Sequence, residues 1–466
     1  MSAPLCGPPV PPRRCASLLR LLSLVLLITR PASALQWVSL SSLPSGRSDM
    51  ASASIGELIY LIGGCTADQT CVPNDPLRYP PNNGYCQCPS STTSVLVYNP
   101  ALDSYNSTVV ARMPRPRYRH DACAVGGKIW LFGGRTMPDA NGYDSIIREV
   151  DVLDTATGKW SANVATYPDD LGSDNSCVTL GAVIYLMGGY SNDYSVVFNT
   201  TYRYDPTSAQ FTRMAGRMLQ ARGDFSSITA PYPGGGGGTV IRAWGGYTNA
   251  SSDLDSSWYC RPLATTEFYD PVKDAWSAGP PLPLALAVKD DGIDIDGTIY
   301  SLGGEVKAQL VGCEYYDLTA VPDVFALGTS AGAAWTSVTS LPAPRMRSSS
   351  AFVGSIIYNF GGQGEFVNDS TLQFFPLQHT AWALQVSTPA ASTNVGAIVG
   401  GVIGGLAGVA LLAAAVVYAV RRRAAQKSLT PATSGAAAGG VSGSDAALDR
   451  SEGLKYFAKK QGFRVA

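Results

Sequence analysis

Short β-branched and aromatic runs, each closed by two glycines, punctuate the middle of the chain: "IYLIGG", "IWLFGG", "IYLMGG", "IRAWGG", "IYSLGG" and "IYNFGG". Their first isoleucines are Ile59, Ile129, Ile184, Ile241, Ile299 and Ile357, spaced 55 to 70 residues apart. Such runs suit buried strands. The glycine pair suits a backbone that comes too close to its neighbour for a side chain, or that needs φ > 0. One strand of this kind cannot bury its own surface, so six copies must pack on one another.

A second landmark follows each glycine pair. An aromatic residue or leucine is followed seven residues later by a large aromatic: Tyr98 and Tyr105, Leu153 and Trp160, Tyr204 and Phe211, Tyr269 and Trp276, Phe375 and Trp382. Tyr316 and Trp335 break the spacing through an insertion containing "PDVFALGTSAG". Strand, turn and strand fit seven residues, so each repeat supplies four strands. Glycine pairs followed by spaced aromatics resemble the kelch repeat of β-propellers. The resemblance covers about 36–382 and implies an all-β, six-bladed kelch-type propeller of four-stranded antiparallel blades. Trp37 also has the place of an outer-strand residue, which gives seven outer strands for six blades. The N-terminal strand is read as completing the last blade, with the Trp382 segment a competitor or an addition.

The ends have different patterns. Arg13 and Arg14, the apolar run 18–28 and "ASA" at 32–34 read as a signal peptide over 1–34, with an uncleaved anchor as the alternative. Residues 395–420 carry no charge and "RRR" follows at 421–423, which predicts one transmembrane helix with a cytosolic C-terminus. The propeller is placed at 35–382, a Ser/Thr/Pro stalk at 383–394, and a disordered basic tail at 421–466. The expected location is the plasma membrane or an endomembrane, single-pass type I. Glycines at four-residue spacing from Gly396 to Gly408 would let two such helices pack as a homodimer. The tail nets +6 and residues 35–394 net −11, a split that suits an anionic leaflet and gives no reason to expect nucleic acid.

Eight cysteines lie in the predicted exterior: Cys65, Cys71, Cys86, Cys88, Cys123, Cys177, Cys260 and Cys313. They read as disulfides, with two pinning the first-repeat loop and Cys123 and Cys177 in matching places of adjacent blades; sequence alone does not fix the pairing. Sequons at Asn106, Asn199, Asn249 and Asn368 are candidate glycosylation sites.

Candidate binding residues come from a charged column twelve residues before the repeated isoleucines: Arg47, Arg117 and Arg345, with Arg222 as the fourth-repeat equivalent. Two residues on stand Asp49, Arg119, Asp174, Asp224, Lys289 and Arg347, on the same face if the chain is extended. The kelch resemblance implies that this column rings the channel mouth and meets a partner there, with Arg117, Arg119, Arg345 and Arg347 as a basic arc. Internal salt bridging is the alternative. "RGDF" at 222–225 belongs to this column, and Asp294 and Asp296 alternate with isoleucines as a half-buried strand would.

The kelch-type enzyme galactose oxidase holds copper with two histidines and two tyrosines, whereas this chain has only His120 and His379. No cofactor, metal or catalytic residue is therefore expected. The expected function is a membrane-tethered, non-catalytic binding or adhesion module for an external protein or glycan. Sugar chemistry of the mutarotase kind is the alternative.

Overall fold

The computed structural model describes residues 35–75, 83–139, 144–234, 238–249, 259–288, 292–307, 318–368 and 373–386. The expected signal peptide, membrane span and tail, and residues 387–394 of the stalk, lie outside them. Among the described residues no helix is long and apolar enough to cross a membrane.

Six four-stranded antiparallel sheets form the blades. The first blade comprises Ala51–Ile55, Leu58–Ile62, Val95–Asn99 and Ser104–Asn106. The second comprises Tyr118–Val125, Lys128–Arg135, Glu149–Asp154 and Lys159–Thr166, and the third Ser176–Leu180, Val183–Met187, Thr201–Asp205 and Gln210–Arg213. The fourth has Ser226–Pro231, Thr239–Trp244, Thr266–Asp270 and Ala275–Ala278, and the fifth Ile293–Ile295, Thr298–Leu302, Asp323–Leu327 and Thr336–Ser340. The sixth joins Ser349–Val353, Ile356–Phe360 and Ala381–Gln385 to the N-terminal strand Trp37–Ser39.

The isoleucine landmark sits where expected, on the second strand, and pairs in register with the third-strand landmark. Ile59 faces Tyr98, Ile129 faces Leu153, Ile184 faces Tyr204 and Ile241 faces Tyr269. Successive side chains point to opposite faces, and both faces are buried between blades. Ile59 and Leu61 pack towards the sixth blade, whereas Tyr60 and Ile62 pack towards the second. This explains why the hexapeptide is apolar throughout rather than alternating. The outer tryptophans lace neighbours together: Trp276 Nε1 donates to Thr201 Oγ1 of the third blade, and Trp335 Nε1 to Thr266 Oγ1 of the fourth, both at 3.0 Å.

The glycine pair is a steric requirement. A Cβ on Gly63 (φ 62°) would lie 2.7 Å from the Arg117 carbonyl oxygen of the next blade, and one on Gly64 (φ 94°) 2.6 Å from Ser48 O. The N–H of Gly64 donates to Arg117 O at 3.0 Å, so the close approach is also a blade-to-blade hydrogen bond.

Four expectations about the last repeats need correction. Trp382 is on the third strand of its blade, not the outer one, and the outer strand is the N-terminal Trp37–Ser39. Leu384, opposite Ile357, is therefore the sixth third-strand landmark, and its outer partner Trp37 comes from the other end of the propeller. Phe375 leaves the blade altogether, because 373–375 pairs with the first-repeat loop at Gln69 and Thr70. In the fifth blade the supposed insertion contains the third strand itself, with Leu327 opposite Ile299, while Tyr316 lies outside the described residues. The third strand of the sixth blade also runs to Gln385, three residues into the predicted stalk.

Loops on the glycine-pair face add a seventh four-stranded sheet, in the order Val367–Asn368, Gln373–Phe375, Gln69–Asp75 and Asn83–Gln87. It joins the first and sixth blades. Cys65 is bonded to Cys88 at the base of the first-repeat loop, and Cys123 to Cys177 across the second and third blades. Cys71 and Cys86 stand opposite each other in the loop hairpin. Cys260 is on the strand Tyr259–Pro262, and Cys313 lies outside the described residues.

Candidate functional site: the charged ring at the axis

The expected column divides into two sets. Arg47, Arg117, Arg222 and Arg345 turn into their own blades and grip the carbonyl of the first glycine of the pair. Arg117 Nη1 donates to Gly133 O at 3.0 Å and Arg222 Nη1 to Gly245 O at 2.9 Å. Arg47 reaches Gly63 O at 3.3 Å, and Arg345 bonds Gly361 O and lies 4.0 Å over the Trp382 ring. Asp151 stands 2.5 Å from Arg117, and Glu267 pairs with Arg222. All four arginines are buried. Burial pushes the Arg345 guanidinium down to about 9, and it pushes Arg117 down to about 10 against the opposing pull of Asp151.

Asp49, Arg119, Asp174, Asp224 and Arg347 form the second set. Each has φ between 52° and 57°. Four of them point the N–H sideways at the preceding blade's carbonyl: Asp49 N donates to Arg347 O, Arg119 N to Asp49 O, Asp174 N to Arg119 O, and Asp224 N to Asp174 O. Val288 N donates to Asp224 O, so Val288 takes the ring position in the fifth blade, one residue before the expected Lys289, which lies outside the described residues. Left-handed backbone suits aspartate tolerably, but for arginine it costs on the order of 1–2 kcal/mol. Arg119 adopts it while its N–H joins this backbone ring, and Arg347 adopts it while its carbonyl accepts from Asp49.

The side chains of the ring pair with one another. Asp49 Oδ1 lies 3.5 Å from Arg119 Nε and 3.5 Å from Arg347 Nη1; Arg119 Nε is 3.7 Å from Asp174, and Arg347 Nε 3.2 Å from Glu305. Asp49 Oδ2 also accepts from Ser48 Oγ, Gln69 Nε2 and Gln363 Nε2, and Asp224 Oδ2 accepts from the Tyr190 hydroxyl. Burial by itself would lower the Arg347 pKa, but Glu305 and Asp49 outweigh it and hold the guanidinium charged.

The ring is covered. Asp49, Arg119, Asp174, Asp224, Arg347 and Glu305 are each at most 6% exposed. Tyr190, Tyr247, Leu318 and Phe375, from loops of the third to sixth blades, belong to one buried apolar cluster with Met346 on this face. Tyr194 accepts from Arg119 Nη1 at 2.6 Å while the Arg135 guanidinium lies 3.8 Å from its ring centroid. Fully buried Arg135 also holds Ser191 O, Asn192 O and Asp144. Arg135, Tyr194, Glu305 and Gln363 were not among the expected residues. Arg135 directly follows "IWLFGG" and Glu305 directly follows "IYSLGG", so the residue after each glycine pair was the available signal.

The remaining expectations place simply. In "RGDF", Arg222 and Asp224 are buried in the column. His120 is buried on the first strand of the second blade, and His379 lies in the loop before the last strand. Among the described residues no group of three or more His, Cys, Asp or Glu side chains could hold a metal ion. The mutarotase alternative gains no support, because the Arg/Asp set is paired and covered.

Six radial antiparallel blades, closed by the first strand and keyed by glycine pairs, define a β-propeller of the kelch type. A family model described as the KLHDC2/KLHL20/DRC7 Kelch-repeats domain matches residues 42–230. The chain is 26% identical over 341 residues to the Kelch-like protein terF of Aspergillus terreus, covering 71% of this chain and 63% of that protein. It is 27% identical over 272 residues to human Kelch-like protein 23, covering 58% and 39%. Human Kelch domain-containing protein 3 matches at 26% over 260 residues, covering 54% and 62%. The chain thus spans between 39% and 63% of the length of these relatives. A solved structure titled "Structure of YjhT" superposes with a TM-score of 0.52 at 12% identity, covering 72% of this chain and 96% of that one, and shares its fold. In its six-bladed fold and in the repeats of residues 42–230, the chain is similar to the kelch-repeat β-propellers.

Proposed function

We propose that this propeller is a non-catalytic binding module on the outer or lumenal side of a membrane, engaging a protein or glycan through the loops that crown its glycine-pair face. The observation that carries the contact surface is the burial of the charged ring: its guanidinium and carboxylate groups are spent on one another, which leaves the loops above them to meet a partner. The crown is acidic at its rim, with Asp68, Asp139, Asp193 and Glu365 exposed. The first-repeat loop, paired to the sixth-repeat loop strand Gln373–Phe375 and closed by Cys65–Cys88, gives it a rigid edge. The Cys65–Cys88 and Cys123–Cys177 bonds support an oxidising compartment, the apolar 395–420 segment followed by "RRR" supports a single-pass tether, and its glycines at four-residue spacing support a homodimeric helix pair.

The test displays the full chain on cells and probes it with a panel of external proteins and glycans, alongside the crown variant Asp68→Lys/Asp193→Lys/Glu365→Lys. A partner bound by the first and lost by the second, at equal surface level, supports the reading. A partner kept by the crown variant and lost on changing the hairpin turns of the opposite face overturns it.

Glycosylation gives an independent check on the compartment. Asn106 is exposed at the end of an outer strand, and its sequon hydroxyl, Thr108 Oγ1, already donates to Asn106 Oδ1 at 2.8 Å. Asn199 instead donates to Met218 O, and its sequon partner Thr201 is fully buried against Trp276. We expect Asn106→Gln to remove one enzymatically releasable glycan and Asn199→Gln to change nothing. A glycan lost from Asn199 would contradict the placement, and an unglycosylated Asn106 the compartment.

A further inference from the structure

Five of the six hexapeptides carry an aromatic residue at their second position; the fourth carries Arg242. Ile241 and Ala243 face the third blade, so Arg242 and Trp244 face the fifth by alternation. Across that seam, Ile299 of the fifth blade packs towards the fourth, and Asp294 is paired directly opposite it. Ser301, two residues along, shares that face. The seam between the fourth and fifth blades therefore collects an arginine, an aspartate, a serine and a tryptophan where the other repeats mostly place apolar residues.

Arg242, Trp244 and Ser301 are buried and Asp294 is half-buried, and several of their polar atoms lack a partner among the protein's own atoms. Arg242 and Trp244 are fully buried and Ser301 nearly so. Arg242 Nη2 donates to Pro231 O at 2.7 Å and its guanidinium lies 5.2 Å from the Phe268 ring centroid. Its Nε and Nη1, together with Trp244 Nε1, Ser301 Oγ and Asp294 Oδ1, make no hydrogen bond. Arg242 and Asp294 feel each other's charge, yet no nitrogen–oxygen pair between them comes within 4.0 Å. Leaving so many buried polar atoms unmet is costly, and native proteins rarely do it without a bridging molecule.

We propose that this seam is a binding site for a neutral, hydroxyl-bearing guest, either water or a small polyol, that bridges Arg242 to Asp294. The groups themselves select the guest. Three N–H donors ask for acceptor oxygens, and the carboxylate asks for a hydrogen; a hydroxyl supplies both. A free anion would meet the Asp294 carboxylate, and a free cation the guanidinium. The seam as a whole carries no net charge. Ser301, which donates or accepts, adjusts to either orientation of the guest.

The test is an experimental structure of the full chain determined without and with glycerol, and the same for Arg242→Tyr, which installs the tyrosine found in four sister repeats. We expect ordered oxygen within hydrogen-bond distance of both Arg242 and Asp294, lost in the variant. Glycerol seated there assigns the site to a polyol, and water persisting in its presence assigns it to water; both support the bridge. Direct Arg242–Asp294 contact with nothing between them, or an anion on Arg242, overturns it. If the variant does not fold, the two wild-type structures decide the matter alone.

Discussion

Replacing Asp49 with alanine is expected to lower stability by about 3–5 kcal/mol, the cost of removing one partner from a buried ionic network. Asp49 is the hub of the ring: its carboxylate faces Arg347 on one side and Arg119 on the other, and also accepts from Gln69 and Gln363. Alanine would leave two buried guanidinium groups short of an anion and would strain the backbone at φ 52°. Asp49→Asn keeps a side chain that tolerates the left-handed conformation and still accepts hydrogen bonds, so it should lose clearly less. Denaturant unfolding of both variants measures the difference. A loss below 1 kcal/mol for the alanine variant would mean that the ring does not hold the fold and would return these residues to a binding role.

The second large effect belongs to Cys123–Cys177. This bond joins the first strands of the second and third blades over 54 residues of chain, with the two Cα atoms 6.2 Å apart. Closing a loop of that length restricts the unfolded chain by about 4 kcal/mol in the entropic account. Cys123→Ala/Cys177→Ala should lower the denaturation midpoint accordingly and should expose the core between those blades first, because both cysteines pack in it beside Phe132 and Tyr204. Hydrogen exchange on Ser176–Leu180 would report it. Equal protection in the variant and the parent would show that packing alone holds the seam.

The glycine-closed hexapeptides and the spaced aromatics, Trp37 among them, were enough to read the number of blades, the four-strand repeat and the involvement of the N-terminal strand. Both signals are local, since each arises from a strand that must pack on two neighbours. Two readings failed for physical reasons. Counting by twos placed Arg47 and Asp49 on one face, but that holds only for extended backbone; the left-handed turn at Asp49, Arg119 and Arg347 sends one residue into the blade and the other to the axis. Matching Phe375 to Trp382 by spacing put Trp382 on an outer strand, whereas it lies on the third strand, where Leu384 meets Trp37 of the N-terminal strand. Arg135, Tyr194 and Glu305 stayed hidden because their partners come from other blades, at separations no local pattern records.

The N-terminal strand has a consequence for timing. Of the propeller's strands, Trp37–Ser39 is made first and its partner Ala381–Gln385 last. At roughly 5–20 residues per second, the interval between them is on the order of 20–70 s. Throughout that time the first strand has no native neighbour, and the growing ring ends in an open edge. Two chains made side by side could then exchange first strands, each closing the other's ring. The same strand that seals the finished propeller is thus the element by which crowded, unfinished copies would become entangled.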